Sequence, residues 1–204
     1  MKTMKKFRFI FFLSITFLGS FSSLWAEVYQ IDPVHSSISF KIRHMVISKV
    51  RGQFDRFSGE FFYDEKEPKN WKTSANIETA SINTANEKRD QHLRTPDFFD
   101  AEKYPAITFK SAKISNLKGS SAKLSGLLSM HGVEKPVILD LEIGGVIKDP
   151  MGVMRAGFEA TTKLNRKDFG IVYNKILESG GLALGEEVEI EIHIEGTAQK
   201  KEEK

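Results

Sequence analysis

The feature that most restricts the fold of this chain is an alternation of apolar and polar residues that recurs from Ile38 to Ile194. Ile38, Phe40 and Ile42 alternate with Ser39, Lys41 and Arg43, and Val50, Gly52 and Phe54 alternate with Arg51 and Gln53. The phase then slips by one residue and resumes at Phe57, Gly59 and Phe61. Further runs follow at Ala75 and Ile77, at Ile107 and Phe109, from Leu124 through Gly126 and Leu128 to Met130, and from Val137 to Ile143. Met154, Ala156, Phe158, Ala160 and Thr162 form another, and Val188, Ile190, Ile192 and Ile194 the last. Successive side chains of a strand point to opposite faces, so a period of two predicts half-buried strands, about eight in all. The slip inside a long strand predicts a β-bulge near Asp55 and Arg56.

Short punctuators separate the runs: Lys118-Gly119, His131-Gly132, Asp149-Pro150-Met151-Gly152 and Gly180-Gly181. Links of this length join antiparallel neighbours and favour an up-and-down meander over crossovers. Only residues 84–100 break the rhythm. There Thr84 or Asn86 is placed to cap a short helix running to about Arg94, with Pro96 ending it. No internal repeat or linker interrupts the chain, and the charged end from Gln199 to Lys204 is expected to fray.

Each strand thus has one apolar and one charged face, and there is too little helix to cover such a sheet. Closure on itself hides the apolar face and removes the edges, so the expected fold is all-β, an eight-stranded antiparallel barrel with a short helix and loop insertion over about residues 84–100. A barrel of eight strands is just wide enough to be filled by side chains or to hold one small ligand. Gly52, Gly59, Ala75, Gly126, Ala156 and Ala160 fall on the inward phase and are expected to leave room there. The rival is an outer-membrane barrel with its polar face inward. Glu187, Glu189, Glu191 and Glu195 on the last strand, with Lys41, Arg43, Lys49 and Arg51 near the first, are too many charges for so narrow an interior.

The first eight residues carry Lys2, Lys5, Lys6 and Arg8, an apolar run extends from Phe9 to Leu18, and small residues lead to Ala26. This is the plan of a secretory signal peptide over residues 1–26, cut near Ala26, although Leu24 is a poor match to the small residue usual at that place. Residues 27–204 then form one domain, exported to the periplasm or secreted. Its loss leaves 26 Lys and Arg against 27 Asp and Glu, one net negative charge, so the basic balance of the whole chain belongs to the leader. Interleaved charges give no footprint for nucleic acid or for an anionic membrane. Cysteine is absent, which excludes disulfides and thiolate chemistry.

Candidate binding residues are of two kinds. Ile38, Phe40, Ile42, Phe54, Phe109, Leu128 and Phe158 point inward by phase and are expected to line a ligand's path, with Phe98, Phe99 and Phe169 sealing or lining an end. Arg89, Asp90 and His92 stand in the irregular stretch. They suit contacts to a polar head group, Arg89 being able to grip phosphate or carbonyl oxygens with two donors, or else an ion pair and caps that hold the loop. His35 and Ser36 are read as turn residues, with His35 on a backbone carbonyl. Five histidines without metal-ligand spacing predict no metal. A hydrolase or isomerase built on His92 and Asp90 is a weaker alternative, as is a filled barrel that only binds a partner; no G-x-S-x-G or phosphate loop is present.

The chain also resembles the YceI-like family of lipid-binding proteins. The resemblance rests on D-P-V-H-S at Asp32 to Ser36 followed by I-S-F-K-I-R-H, V-R-G-Q-F at Val50 to Phe54, S-I-N-T-A-N-E-K-R-D-Q-H-L at Ser81 to Leu93, D-F-F-D-A-E-K-Y-P-A-I-T-F at Asp97 to Phe109, L-S-G-L-L-S-M-H-G at Leu124 to Gly132, and N-R-K-D-F-G at Asn165 to Gly170. It implies a lipocalin-like barrel whose tubular interior takes a long polyisoprenoid, an isoprenoid quinone or a similar amphiphile, for transport or storage. It also implies a periplasmic or secreted place, no cofactor, occasional association with a membrane cytochrome b-type protein, and a possible homodimer.

Overall fold

The computed structural model describes residues 27–176 and 181–199. The expected leader, Gly180 of the expected Gly180-Gly181 turn and the tail from Lys200 lie outside them. The described chain forms strands β1 (Glu27–Ile31), β2 (Ser37–His44), β3 (Ser48–Phe54), β4 (Phe57–Tyr63), β5 (Lys72–Glu78), β6 (Ile82–Asn83), β7 (Ala106–Lys118), β8 (Ser121–Met130), β9 (Val133–Lys148), β10 (Met154–Asn165) and β11 (Leu184–Ala198). One helix, α1 (Glu87–Leu93), lies between β6 and β7.

These segments combine into eight staves. β1 and β2 lie end to end along β11, β1 opposite Gly196 to Ala198 and β2 opposite Leu184 to His193. β3 and β4 form one bent strand, β3 between β2 and β6, β4 between β1 and β5. β5 and β6 make the third stave, broken by a 3-10 turn at Thr79–Ser81. With β7 to β11, every stave is antiparallel to its neighbour in chain order, and the eighth returns to the first. The fold is therefore the all-β, eight-stranded antiparallel barrel with one short helix that the alternation predicts.

Local chemistry explains the breaks. At the expected bulge, Asp55 N–H donates to the Ser81 carbonyl and the Arg56 carbonyl accepts from Glu78, so the stave bends without losing its bonds. His131 and Gly132 take φ of 52° and 74° between β8 and β9, the mirror-image turn that matches strand twist. Asn86 caps α1 by accepting from Arg89 N–H, and the acidic Glu87 in the first turn suits the helix N-terminus. The end of the barrel that carries α1 also carries the β2–β3 hairpin turn, the β8–β9 turn and residues 166–176, which follow β10.

The first stave leaves the sheet at Asp32 to Ser36, and a polar clamp covers the gap. Asp32 N–H donates to the Glu195 carbonyl at 2.8 Å, and the Ser36 hydroxyl exchanges bonds with Glu195 N–H and C=O. Arg155 of β10 donates to Asp149 at 2.9 Å, to Glu195 at 2.5 Å and to Asp32 at 3.2 Å. The bond from His35, with help from Arg155, holds the Asp32 carboxyl below its usual range, and Arg155 does the same to Asp149. His35 thus meets the Asp32 carboxylate at 2.8 Å, not the backbone carbonyl the sequence suggested, because the turn brings that acid within three residues.

Arg155→Met leaves three carboxylates facing one another and should lower Tm at pH 7. A depressed carboxylate pKa gives stability that is present above the unfolded value, near 4, and lost as pH falls through the folded value. The Tm gap between variant and wild type should therefore narrow below about pH 4; thermal unfolding followed across pH 3 to 7 measures it.

Candidate functional site

The inward faces do not fill the barrel. A hollow of about 180 Å³ runs along its interior, from Tyr63 and Trp71 near one end to Ile38, Ile77 and Met130 near the α1 end. Its middle is walled by Leu124, Leu139, Leu141, Ala160 and Ile192. Among the described residues, its wall is apolar apart from Thr73, Glu159 and Thr162 and the polar atoms of Tyr63 and Trp71. Aromatic clusters bound it. Tyr63 packs on Trp71 with ring centres 4.6 Å apart and on Phe158 at 5.3 Å, and Phe61 meets Phe158 at 5.2 Å. Toward α1, Phe54 sits between Phe40 and Phe99, each at 6.0 Å.

Such a space has room for about a dozen waters by volume, but water needs two or more polar partners and this wall offers few. Left empty, it costs about 4 kcal/mol at the rate measured for cavities in protein cores. That is a large share of the roughly 5 to 15 kcal/mol by which a domain is stable. The arrangement suits an apolar guest.

Of the residues expected to touch a ligand, Ile38, Phe54, Phe109, Leu128 and Phe158 line the hollow. Phe40 and Ile42 lie further along β2, outside the lining, and Phe99 backs the hollow through Phe54. Phe169 is buried in the core, its carbonyl accepting from His131 Nδ1 at 3.0 Å. Phe98 packs outside the hollow against His92 and Tyr173. Tyr63 and Trp71 were not singled out from the sequence. Tyr63 continues the period of Phe57, Gly59 and Phe61, and Trp71, just before β5, keeps the parity of Thr73, Ala75 and Ile77, so extending the two runs would have found them; the Trp71 Nε1 is spent on the Asp64 carbonyl at 2.6 Å.

The room expected over the inward glycines is already taken. A Cβ on Gly52 would meet the Phe40 ring at 2.4 Å, one on Gly126 the Phe109 ring at 2.5 Å, and one on Gly59 the Ser74 carbonyl at 2.3 Å. These glycines admit a neighbouring ring or strand to close approach, so the hollow owes its space to other wall positions, including Ala75 and Ala160.

The polar trio in the loop holds the loop. Asp90, buried, accepts from both Thr84 N–H, at 2.9 Å, and the Thr84 hydroxyl. Arg89 donates from Nε to the Thr84 hydroxyl and from Nη2 to the Thr84 carbonyl, both at 2.7 Å. His92 Nε2 meets Asp97 at 2.8 Å, so the His92–Asp90 pair that an enzyme would need does not form. After β10, Arg166 is buried and donates to the carbonyls of Gly185 and Ile171, while the ion pair of that turn is Lys167 with Glu186. Burial pushes the Arg166 guanidinium below its usual pKa.

Among the described residues one group brings metal-ligating atoms together: Asp32, His35 and Glu195, within 4.8 Å of one another. The Arg155 guanidinium already lies on both carboxylates, supplying the positive charge an ion would bring.

Comparison with known proteins agrees with this geometry. The family model described as YceI-like domain matches residues 29–196. A UPF0312 protein of Vibrio parahaemolyticus is 39% identical over 173 residues, covering 84% of this chain and 87% of that one. The crystal structure of the Campylobacter jejuni YCEI protein superposes with a TM-score of 0.67 at 34% identity, covering 78% of this chain and 91% of the other. A polyisoprenoid binding domain from Saccharophagus degradans shares the fold at a TM-score of 0.62 and 16% identity, over 84% of this chain and 98% of its own.

Asp90→Ala should leave Thr84 N–H and hydroxyl buried without an acceptor and lower stability by about 1 to 3 kcal/mol. Urea unfolding measures the loss, and the protein that remains folded should still carry any guest the wild type carries.

Proposed function

The chain belongs to the YceI-like domain family, and from that premise we propose that it is a lipid-binding protein that holds the tail of a long-chain amphiphile inside its barrel. The observation that carries this reading is the apolar hollow, whose emptiness would cost stability that a filling side chain would restore. A polyisoprenoid, an isoprenoid quinone or a similar lipid suits it, in line with the ligand named for the Saccharophagus relative. We read the protein as a carrier or store and not as an enzyme. Its expected leader places that work outside the cytoplasm.

The energetics follow the length of tail that enters. Burial of each CH₂ contributes about 0.8 kcal/mol, and freezing rotors and losing translation offset part of that gain. A hollow of about 180 Å³ takes part of a long tail, and the remainder lies toward the mouth, where the head is chosen and oriented.

Protein purified from its producing cells should release a long-chain lipid on solvent extraction, read by mass spectrometry; protein that neither carries nor takes up one sinks the proposal. Ala160 faces the hollow in register with Leu141 and Ile192. Ala160→Leu should add about 1 kcal/mol of stability by filling space and should lower the lipid retained per protein; unchanged retention with raised Tm would mean that the guest sits elsewhere.

A further inference from the structure

The β2–β3 hairpin ends in three consecutive apolar residues that the barrel does not use. Met45, Val46 and Ile47 are 44%, 60% and 88% exposed. Met45 and Val46 take φ of 49° and 65°, a left-handed backbone that β-branched Val adopts only at a cost; Gly or Asn would make this turn more cheaply. The turn is nevertheless fastened in place. Arg43 Nη1 donates to the Val46 carbonyl at 2.9 Å, and Met45 N–H donates to the Ala183 carbonyl at 2.8 Å, beside the exposed Leu182.

Directly behind the apex, the outer face of the hairpin sets cation against cation. Lys41 lies opposite Arg51, and Arg43 opposite Lys49. Like charges placed opposite each other destabilise a strand pair. Lys41 and Lys49 are relieved by Glu191 and Glu189 of β11, but Arg51 makes no ion pair among the described residues. Arg43 and Lys49 stand about two residues, or roughly 7 Å, behind the tip. That spacing matches the depth of about 5 to 10 Å to which an interfacial segment buries its apolar face below the phosphates.

We propose that this hairpin tip docks the protein on an anionic phospholipid surface, with Met45, Val46 and Ile47 entering the acyl region and Arg43 and Arg51, which make no ion pair among the described residues, meeting phosphate oxygens. The proposal rests on the lipid-carrier reading and adds where the carrier meets its membrane. A narrow aliphatic apex is too small for a stable protein interface, yet a bilayer accepts it. The tip lies at the α1 end, and β2 and β11 run from it directly to Ile38 and Ile190 of the hollow.

The test is co-sedimentation of the protein purified from its producing cells, its N-terminus read first, with vesicles of phosphatidylethanolamine and phosphatidylglycerol and with vesicles of phosphatidylcholine alone. The anionic vesicles should bind the wild type. Ile47→Ser should weaken that binding about tenfold and Arg51→Gln about fivefold, while phosphatidylcholine vesicles bind poorly throughout. Val46→Gly should raise Tm and weaken vesicle binding together. Binding that ignores the tip substitutions overturns the proposal, as does a tip that instead governs dimer formation in light scattering. Lipid content of the same preparations, read by mass spectrometry, separates the outcomes: protein that carries lipid but ignores vesicles refutes the docking site alone, and lipid-free protein refutes the carrier reading.

Discussion

A sheet that is apolar on one face and charged on the other must find a second layer or meet its own edge. Here β11 makes the second solution possible by pairing with two partners along one side, β2 for its first part and β1 for its last. That divided pairing closes eight staves into a ring, and the stretch of β3 from Ser48 to Gly52, bonded to β2 alone, is an edge it leaves open. The interruption it requires, at Asp32 to Ser36, would expose backbone groups if nothing covered them. Arg155 reaches from β10 to bind acids on both sides of the gap, so the seam is held by charge where the ladder cannot hold it.

Closure then decides the chemistry of the interior. The charged residues that alternate with the inward set are turned outward, where many pair across strands, as Lys123 does with Asp140 and Lys163 with Glu187. What remains inside is almost wholly apolar, and it is unevenly distributed. Rings crowd toward the two ends, several of them seated over glycines, while Leu, Ile and Ala wall the middle. A barrel packed evenly with branched side chains would have no hollow.

The alternation made the staves legible because burial on one face acts on every second residue regardless of context. It also placed Ile38, Phe54, Phe109, Leu128 and Phe158 correctly on the inner face. Features that follow no period were not legible. Strand β1 is short, and its pairing to Phe61 and Ala198 joins residues far apart in the chain. The Arg155 clamp unites four positions in three separate segments, and each taken alone reads as an ordinary surface charge. The inward glycines were legible as small but not as occupied, because the ring or carbonyl that fills each site comes from a neighbouring strand.

The loop around α1 has consumed its own polar groups: Asp90 and Arg89 are bound to Thr84, and His92 to Asp97. The wall of the hollow adds few more. A guest held by such a site is held by exclusion of water, and the same physics governs its departure. On the carrier reading, each methylene that slides out into water would forfeit about 0.8 kcal/mol, so transfer into water would oppose release. Release requires an apolar acceptor at the mouth, to which the tail can pass without crossing water. A barrel of this kind functions as a carrier only where one of its ends can be brought against such an acceptor, which makes the exterior of that end as much a part of the binding site as the hollow itself.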